Sequence, residues 1–129
     1  MSERPNYSVF HAVPFHGLAA RFGAAGSGAV GELFLADLLG LSGQEVVLVH
    51  MPPGGEILVD HTNGGHEELV VCVSGQGQLL IENDLVEVQA GAAFRPGAGG
   101  VRRWRNPGDG DLNLVRLIPA QQLPEGKES

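Results

Sequence analysis

Side chains able to do chemistry concentrate in the middle of this 129-residue chain: His50, His61, His66, Glu68 and Cys72, then the run Arg102-Arg103-Trp104-Arg105. Successive side chains in a strand point to opposite faces, so Glu68, Val70 and Cys72 share one face if this stretch is extended. His66, two residues before Glu68, joins that face if the strand reaches so far. An imidazole and a carboxylate so placed are donors suited, with a further imidazole, to iron, manganese or zinc. The other reading of His66, beside Gly64-Gly65, is a solvated loop histidine. The same alternation puts Arg102 and Trp104 on one face and Arg103 and Arg105 on the other, unless all three arginines are surface charges. Cys72 is a thiol on that shared face or a small core residue. His50 precedes Met51-Pro52-Pro53 and lies at the mouth or on the outside of whatever encloses the other groups.

The elements that must position these residues are strands. From residue 45 onward, short runs rich in Val, Leu and Ile are separated by Gly, Pro, Asn and Asp, a pattern of strands joined by tight turns. Strands are expected at residues 45–51, 57–60, 67–74, 78–82, 85–89, 92–95, 101–105 and 112–118. Gly75-Gln76-Gly77 permits positive φ, Asn83-Asp84 suits a two-residue hairpin, and Pro107-Gly108-Asp109-Gly110 forces a reversal. Eight short strands at this spacing imply an all-β barrel or sandwich of the meander or jelly-roll type. Residues 1–44 read as an N-terminal arm and connector of the same domain, 45–119 as the barrel, and 120–129 as a frayed tail. Within the arm, residues 23–28 look like a flexible connector. Residues 32–39, followed by Gly40, fit one short C-capped helix or another strand, with helix favoured. Residues 9–13 read as an edge strand or as an arm packing on a second subunit.

Length allows one core and one domain. No apolar run is long enough to cross a bilayer, and the first residues lack an export pattern, so a cytoplasmic location is expected. Cys72 is the single cysteine, which rules out an intramolecular disulfide and a thiolate zinc cage built from one chain. A net charge of −7 argues against a nucleic acid partner, and the Arg102–Arg105 cluster is too short to track a strand. Neither a glycine-rich phosphate loop between strand and helix nor a serine-triad motif is present.

Two segments carry a family resemblance. Gly55, His61, Asn63, Glu68 and Gly75 fit the spacing G-x5-H-x-H-x4-E-x6-G, with Asn63 in place of the second histidine. Gly91, Gly97, Gly99, Arg102 and Asn106 fit G-x5-P-x-G-x2-H-x3-N, with Pro96 one residue early and Arg102 in place of the histidine. These resemble the two motifs of the cupin superfamily, and the chain is similar to small single-domain cupins with an N-terminal extension. The resemblance implies a double-stranded β-helix, or jelly-roll barrel. It also implies that the family's interior metal site corresponds here to His61, Asn63, Glu68 and Arg102.

A guanidinium has no lone pair to donate and carries a fixed positive charge, so Arg102 is no ligand. No cofactor is therefore expected. The simplest arrangement pairs Arg102 with Glu68, the arginine standing in for the ion. The favoured reading is a metal-independent cupin that binds a small anionic or carbonyl-bearing molecule in the barrel. Asn63, Val70, Cys72, Arg102 and Trp104 would line its site. If it is catalytic, His61 or Glu68 acts as general acid or base and Arg102 stabilises an oxyanion, as in isomerase, cyclase or lyase chemistry. The alternatives are a metal-dependent oxygenase or isomerase using a divalent transition metal on His61, Glu68 and either His66 or Asn63, and a non-catalytic ligand-sensing or assembly module. A small-molecule ligand and a homodimer are the expected partners.

Overall fold

A computed structural model describes residues 14–60, 68–81, 83–95 and 101–119. The chain enters through a 3-10 turn (Phe15–Gly17) and a short helix α1 (Leu18–Phe22), then forms β1 (Ala24–Ala25), β2 (Val30–Phe34) and a second short helix α2 (Ala36–Leu39). Eight strands follow: β3 (Gln44–Met51), β4 (Glu56–Asp60), β5 (Leu69–Ser74), β6 (Gln76–Ile81), β7 (Asp84–Gln89), β8 (Ala93–Phe94), β9 (Val101–Arg105) and β10 (Leu112–Pro119). They build a six-stranded sheet in the order β1-β2-β3-β10-β5-β8 and a four-stranded sheet in the order β4-β9-β6-β7, with every pairing antiparallel. This is the jelly roll that the family resemblance implies, within the all-β class that the strand spacing predicts.

Alternation decides what each strand buries. On β3, Val47, Val49 and Met51 face inward; on β5, Val70 and Cys72; on β10, Leu112 and Leu114; on β9, Trp104. All eight are at most 1% exposed, and with Leu79 and Val88 of the second sheet they form one continuous core. The chain passes from the first sheet to the second at Gly75. Its φ is +89°, and an added Cβ would collide with the Asp111 carbonyl, so only glycine fits this motif position.

Two expectations for the arm need correction. The segment 32–39 is neither wholly helix nor wholly strand: β2 ends at Phe34, and α2 runs only from Ala36 to Leu39, closed by Gly40 in the left-handed region. Pairing of Glu32 with Val49 and of Leu33 with Leu48 outweighs local helix propensity there. Residues 23–28 are a built element and not a loose connector. Ala24 and Ala25 pair with β2, and Ser27 exchanges backbone hydrogen bonds of 2.9 Å with Glu56, linking the first sheet to the edge of β4. Gly26 at φ +60° lies so close to the Glu56 carbonyl that a side chain would not fit. The expected edge strand or arm at 9–13 and the tail beyond 119 lie outside the described residues.

Asn106, the last residue of the second motif, is structural. It is 1% exposed; its amide donates to the Met51 and Gly110 carbonyls at 2.9 and 2.7 Å, and its Oδ1 accepts from the Gly108 amide at 3.1 Å. The turn between β9 and β10 is thus fastened to the end of β3.

Candidate functional site

Arg102 faces inward, as the alternation of β9 predicts. It sits between Val59 of β4 and Ile81 of β6 and is 2% exposed, whereas Arg103 lies on the surface beside Glu56. Trp104 follows on the same inward face, its ring packed edge-on against Phe94 at a centroid distance of 6.2 Å. From the opposite sheet Glu68, just before β5, is 3% exposed. Val70 and Cys72 continue its face into the core. The Cys72 thiol lies 3.6 Å from the Ser74 carbonyl, toward the crossing into β6, and burial pushes its pKa up from 9.0.

The ion pair expected between Arg102 and Glu68 does not form; a different arginine takes the carboxylate. Arg116 of β10 stands opposite Val47 and Val70, both core positions, so its side chain also enters the barrel. Its Nη2 and Nε donate to Glu68 Oε1 and Oε2 at 3.0 and 3.3 Å, a two-point fork. Two parallel bonds satisfy a carboxylate better than one charge at a distance. On its other side Arg116 Nη1 lies 3.7 Å from Oε2 of Glu32, which reaches in from β2 opposite Val49. Burial raises the Glu32 pKa above 4.5, and the Arg116 charge partly offsets this.

Arg102 therefore has no direct ion pair among the described residues. Its Nε and Nη1 are buried without a hydrogen-bond partner, and so is Trp104 Nε1. Desolvation lowers the Arg102 pKa; Glu68 opposes this at longer range and Arg116 adds to it. A buried donor left unmade costs about 1–3 kcal/mol, and more when it is charged. Among the described residues the interior thus holds two carboxylates and two guanidiniums, with the hydrogen bonds concentrated on Arg116 and the deficit on Arg102.

His61, Asn63 and His66 lie outside the described residues. Among the described ones, no group of three or more His, Cys, Asp and Glu side chains could hold a metal ion. The donor set there does not fit one: Glu68 is tied in the Arg116 fork, and Arg102 brings positive charge to the place of a ligand. A pocket of about 400 Å³ opens at the rim, lined in part by Gln44, Glu68, Leu69, Arg95 and Leu117. Through Glu68 it touches the edge of the charged cluster, while Leu69 and Leu117 belong to the outer side of the sheet.

A second polar chain lies outside the barrel. His50, which the sequence left between mouth and outer face, is on the outer face yet only 4% exposed, opposite Gly31 of β2. Asn113 donates through Nδ2 to Ser74 Oγ at 2.8 Å, which leaves its Oδ1 to accept from His50 Nδ1 at 2.8 Å. His50 Nε2 then faces Asp111 at 3.9 Å.

Sequence reasoning missed Glu32 and Arg116. The signal for Arg116 was present: Leu112, Leu114 and Arg116 follow strand alternation. Glu32 was hidden by the helical reading of its segment.

Comparison with known proteins agrees with this architecture. Residues 47–118 match the family model described as Cupin domain. A cupin protein from Bacteroides fragilis superposes with a TM-score of 0.68 at 24% identity, covering 95% of this chain and 92% of its own. A predicted oxalate decarboxylase from Thermotoga maritima gives a TM-score of 0.59 at 22% identity, covering 70% of this chain and 79% of its own. A putative sugar phosphate isomerase from Acidithiobacillus ferrooxidans gives 0.57 at 26%, covering 70% of this chain and 58% of its own. No curated protein matches the sequence.

Proposed function

Since this chain belongs to the cupin family, we propose that it uses the barrel interior to bind a small organic anion, with Arg102 as the anchor and no metal ion required. The observation that carries this reading is the buried Arg102 guanidinium whose Nε and Nη1 lack partners. A carboxylate offers two acceptor oxygens and the compensating charge together. Arg116 supports the reading from the other side: by holding Glu68 in a fork, it keeps that carboxylate from neutralising Arg102 directly. Two structural neighbours are named for reactions on anionic substrates, oxalate and a sugar phosphate, which fits a buried guanidinium with unmet donors.

If the protein is catalytic, Arg102 would stabilise charge developing on a substrate oxygen. Glu68 would orient Arg116, and Glu32 would be the described carboxyl available to give or take a proton. That is isomerase, cyclase or lyase chemistry.

Calorimetric titration with acetate, pyruvate and oxalate tests the reading. At least one should bind, EDTA should leave the affinity unchanged, and Arg102→Gln should weaken it at least tenfold. Binding that requires an added divalent metal, or that survives the loss of Arg102, would overturn the proposal.

A further inference from the structure

The buried side-chain polar atoms without partners among the described residues are Arg102 Nε, Arg102 Nη1 and Trp104 Nε1. Each is a donor; none is an acceptor. They come from one strand and one face, two residues apart, so their side chains leave the backbone roughly 6–7 Å from each other. Among the described residues both Glu68 oxygens accept from Arg116, and Glu32 Oε2 lies 3.7 Å from the same guanidinium. What these donors lack is oxygen lone pairs at two separated points.

Resting on the anion-binding reading above, we infer that the ligand is a two-ended acceptor, a carboxylate at Arg102 carrying a second oxygen, keto or carboxylate, for the Trp104 indole N–H. Trp104 is 1% exposed and braced by the Phe94 ring at 81°, so its N–H is held in place before any ligand arrives. A site built to donate a hydrogen bond rejects an analogue that lacks the acceptor far more strongly than an apolar pocket rejects a missing methylene. The indole therefore selects oxo acids and dicarboxylates over simple fatty acids of the same length. Arg102 supplies the affinity common to them all.

Trp104 is the single tryptophan in the chain, so one indole N–H resonance reports directly on this contact. The experiment compares pentanoate, 2-oxopentanoate and 4-oxopentanoate against the full-length protein by heteronuclear NMR and calorimetry. One of the oxo acids should bind at least tenfold more tightly than pentanoate and move the indole resonance downfield, while pentanoate leaves it in place. Trp104→Phe should bring the three ligands within about twofold of one another. If all three bind alike and the indole does not move, the N–H is served by an ordered water and this inference is wrong, although the anion site stands. If none of them binds, nor acetate, pyruvate or oxalate, the anion-binding reading itself fails.

Discussion

Both faces of the six-stranded sheet depart from the usual arrangement. Amid an apolar core, its inner face carries Glu32 and Arg116, with Glu68 just before β5. Its outer face over β3, β10 and β5 carries Val46, Leu48, Val115, Leu117, Leu69 and Val71, cross-paired in two aliphatic rows. Leu69 in these rows is 41% exposed, and Val73 on the same strand is 49% exposed. Toward β2 this outer face is covered, as the burial of Leu18, Leu33 and His50 shows. Over β5 it is open among the described residues. Charge on the inside and aliphatic surface on the outside are both costly for an isolated chain. The inner cost fits a ligand; the outer one fits a second copy of the chain.

Breaking the inner face should have the largest effect. Arg116→Met leaves Glu68 and Glu32 buried without their partner and is expected to cost about 3–5 kcal/mol, read by urea denaturation. A double-mutant cycle between Arg116 and Glu68 should show coupling of about 1–3 kcal/mol. The Arg102 and Glu68 cycle should show less. Equal coupling in the two cycles would mean that the fork is not the dominant pair.

On the outer face, Leu69→Asp with Val73→Asp should convert a dimer into a monomer by light scattering at micromolar concentration, with the denaturation midpoint nearly unchanged. If the unaltered protein is already monomeric at that concentration, the apolar rows need no second copy.

The next effect sharpens the inner face by pH. The folded-state pKa of Glu32 is raised above 4.5, so folding favours its protonated form. That contribution is fully present below pH 4.5 and is lost as pH rises through the folded value. Glu32→Gln should flatten this part of the stability profile and leave the protein at least as stable at neutral pH. A profile identical to that of the unaltered protein would show that Glu32 does not titrate there.

The smallest effect is at Cys72. Its raised thiol pKa and burial predict that a disulfide reagent reacts only as fast as the chain unfolds. Stability should fall as pH climbs past 9.0, where the unfolded thiol ionises first. Rapid labelling of the folded protein would place the thiol within reach of solvent.

Strand periodicity made the barrel and much of its lining legible. The span of β9 and the burial of Arg102 and Trp104 beside exposed Arg103 were readable from alternation in five residues. The partner of Glu68 was not, because it depends on which strand lies next to β5. That neighbour is β10, more than 40 residues later in the chain, and no local pattern encodes the adjacency. The motif spacing gave the correct position for Arg102, but it suggested a contact that Arg116 makes instead. The arm was least legible. Glu32 lies in a segment whose local propensity favours a helix, and only pairing with β3 draws it into the sheet. Residues 23–28, rich in glycine, looked loose; Gly26 and Gly28 serve close backbone approach to Glu56 and to Gly54-Gly55.

The Asn106 clamp has a consequence for how the protein ages. A buried asparagine with all its hydrogen bonds made is a poor place for spontaneous chemical change, and here the sequence closes the usual route altogether. Deamidation proceeds by attack of the next residue's backbone nitrogen on the side-chain amide, and the next residue is Pro107, whose nitrogen carries no hydrogen to lose. The fastener between β3 and the last turn is therefore protected from slow conversion to aspartate, which would put a negative charge against the Met51 and Gly110 carbonyls and loosen the turn from the strand end that holds it.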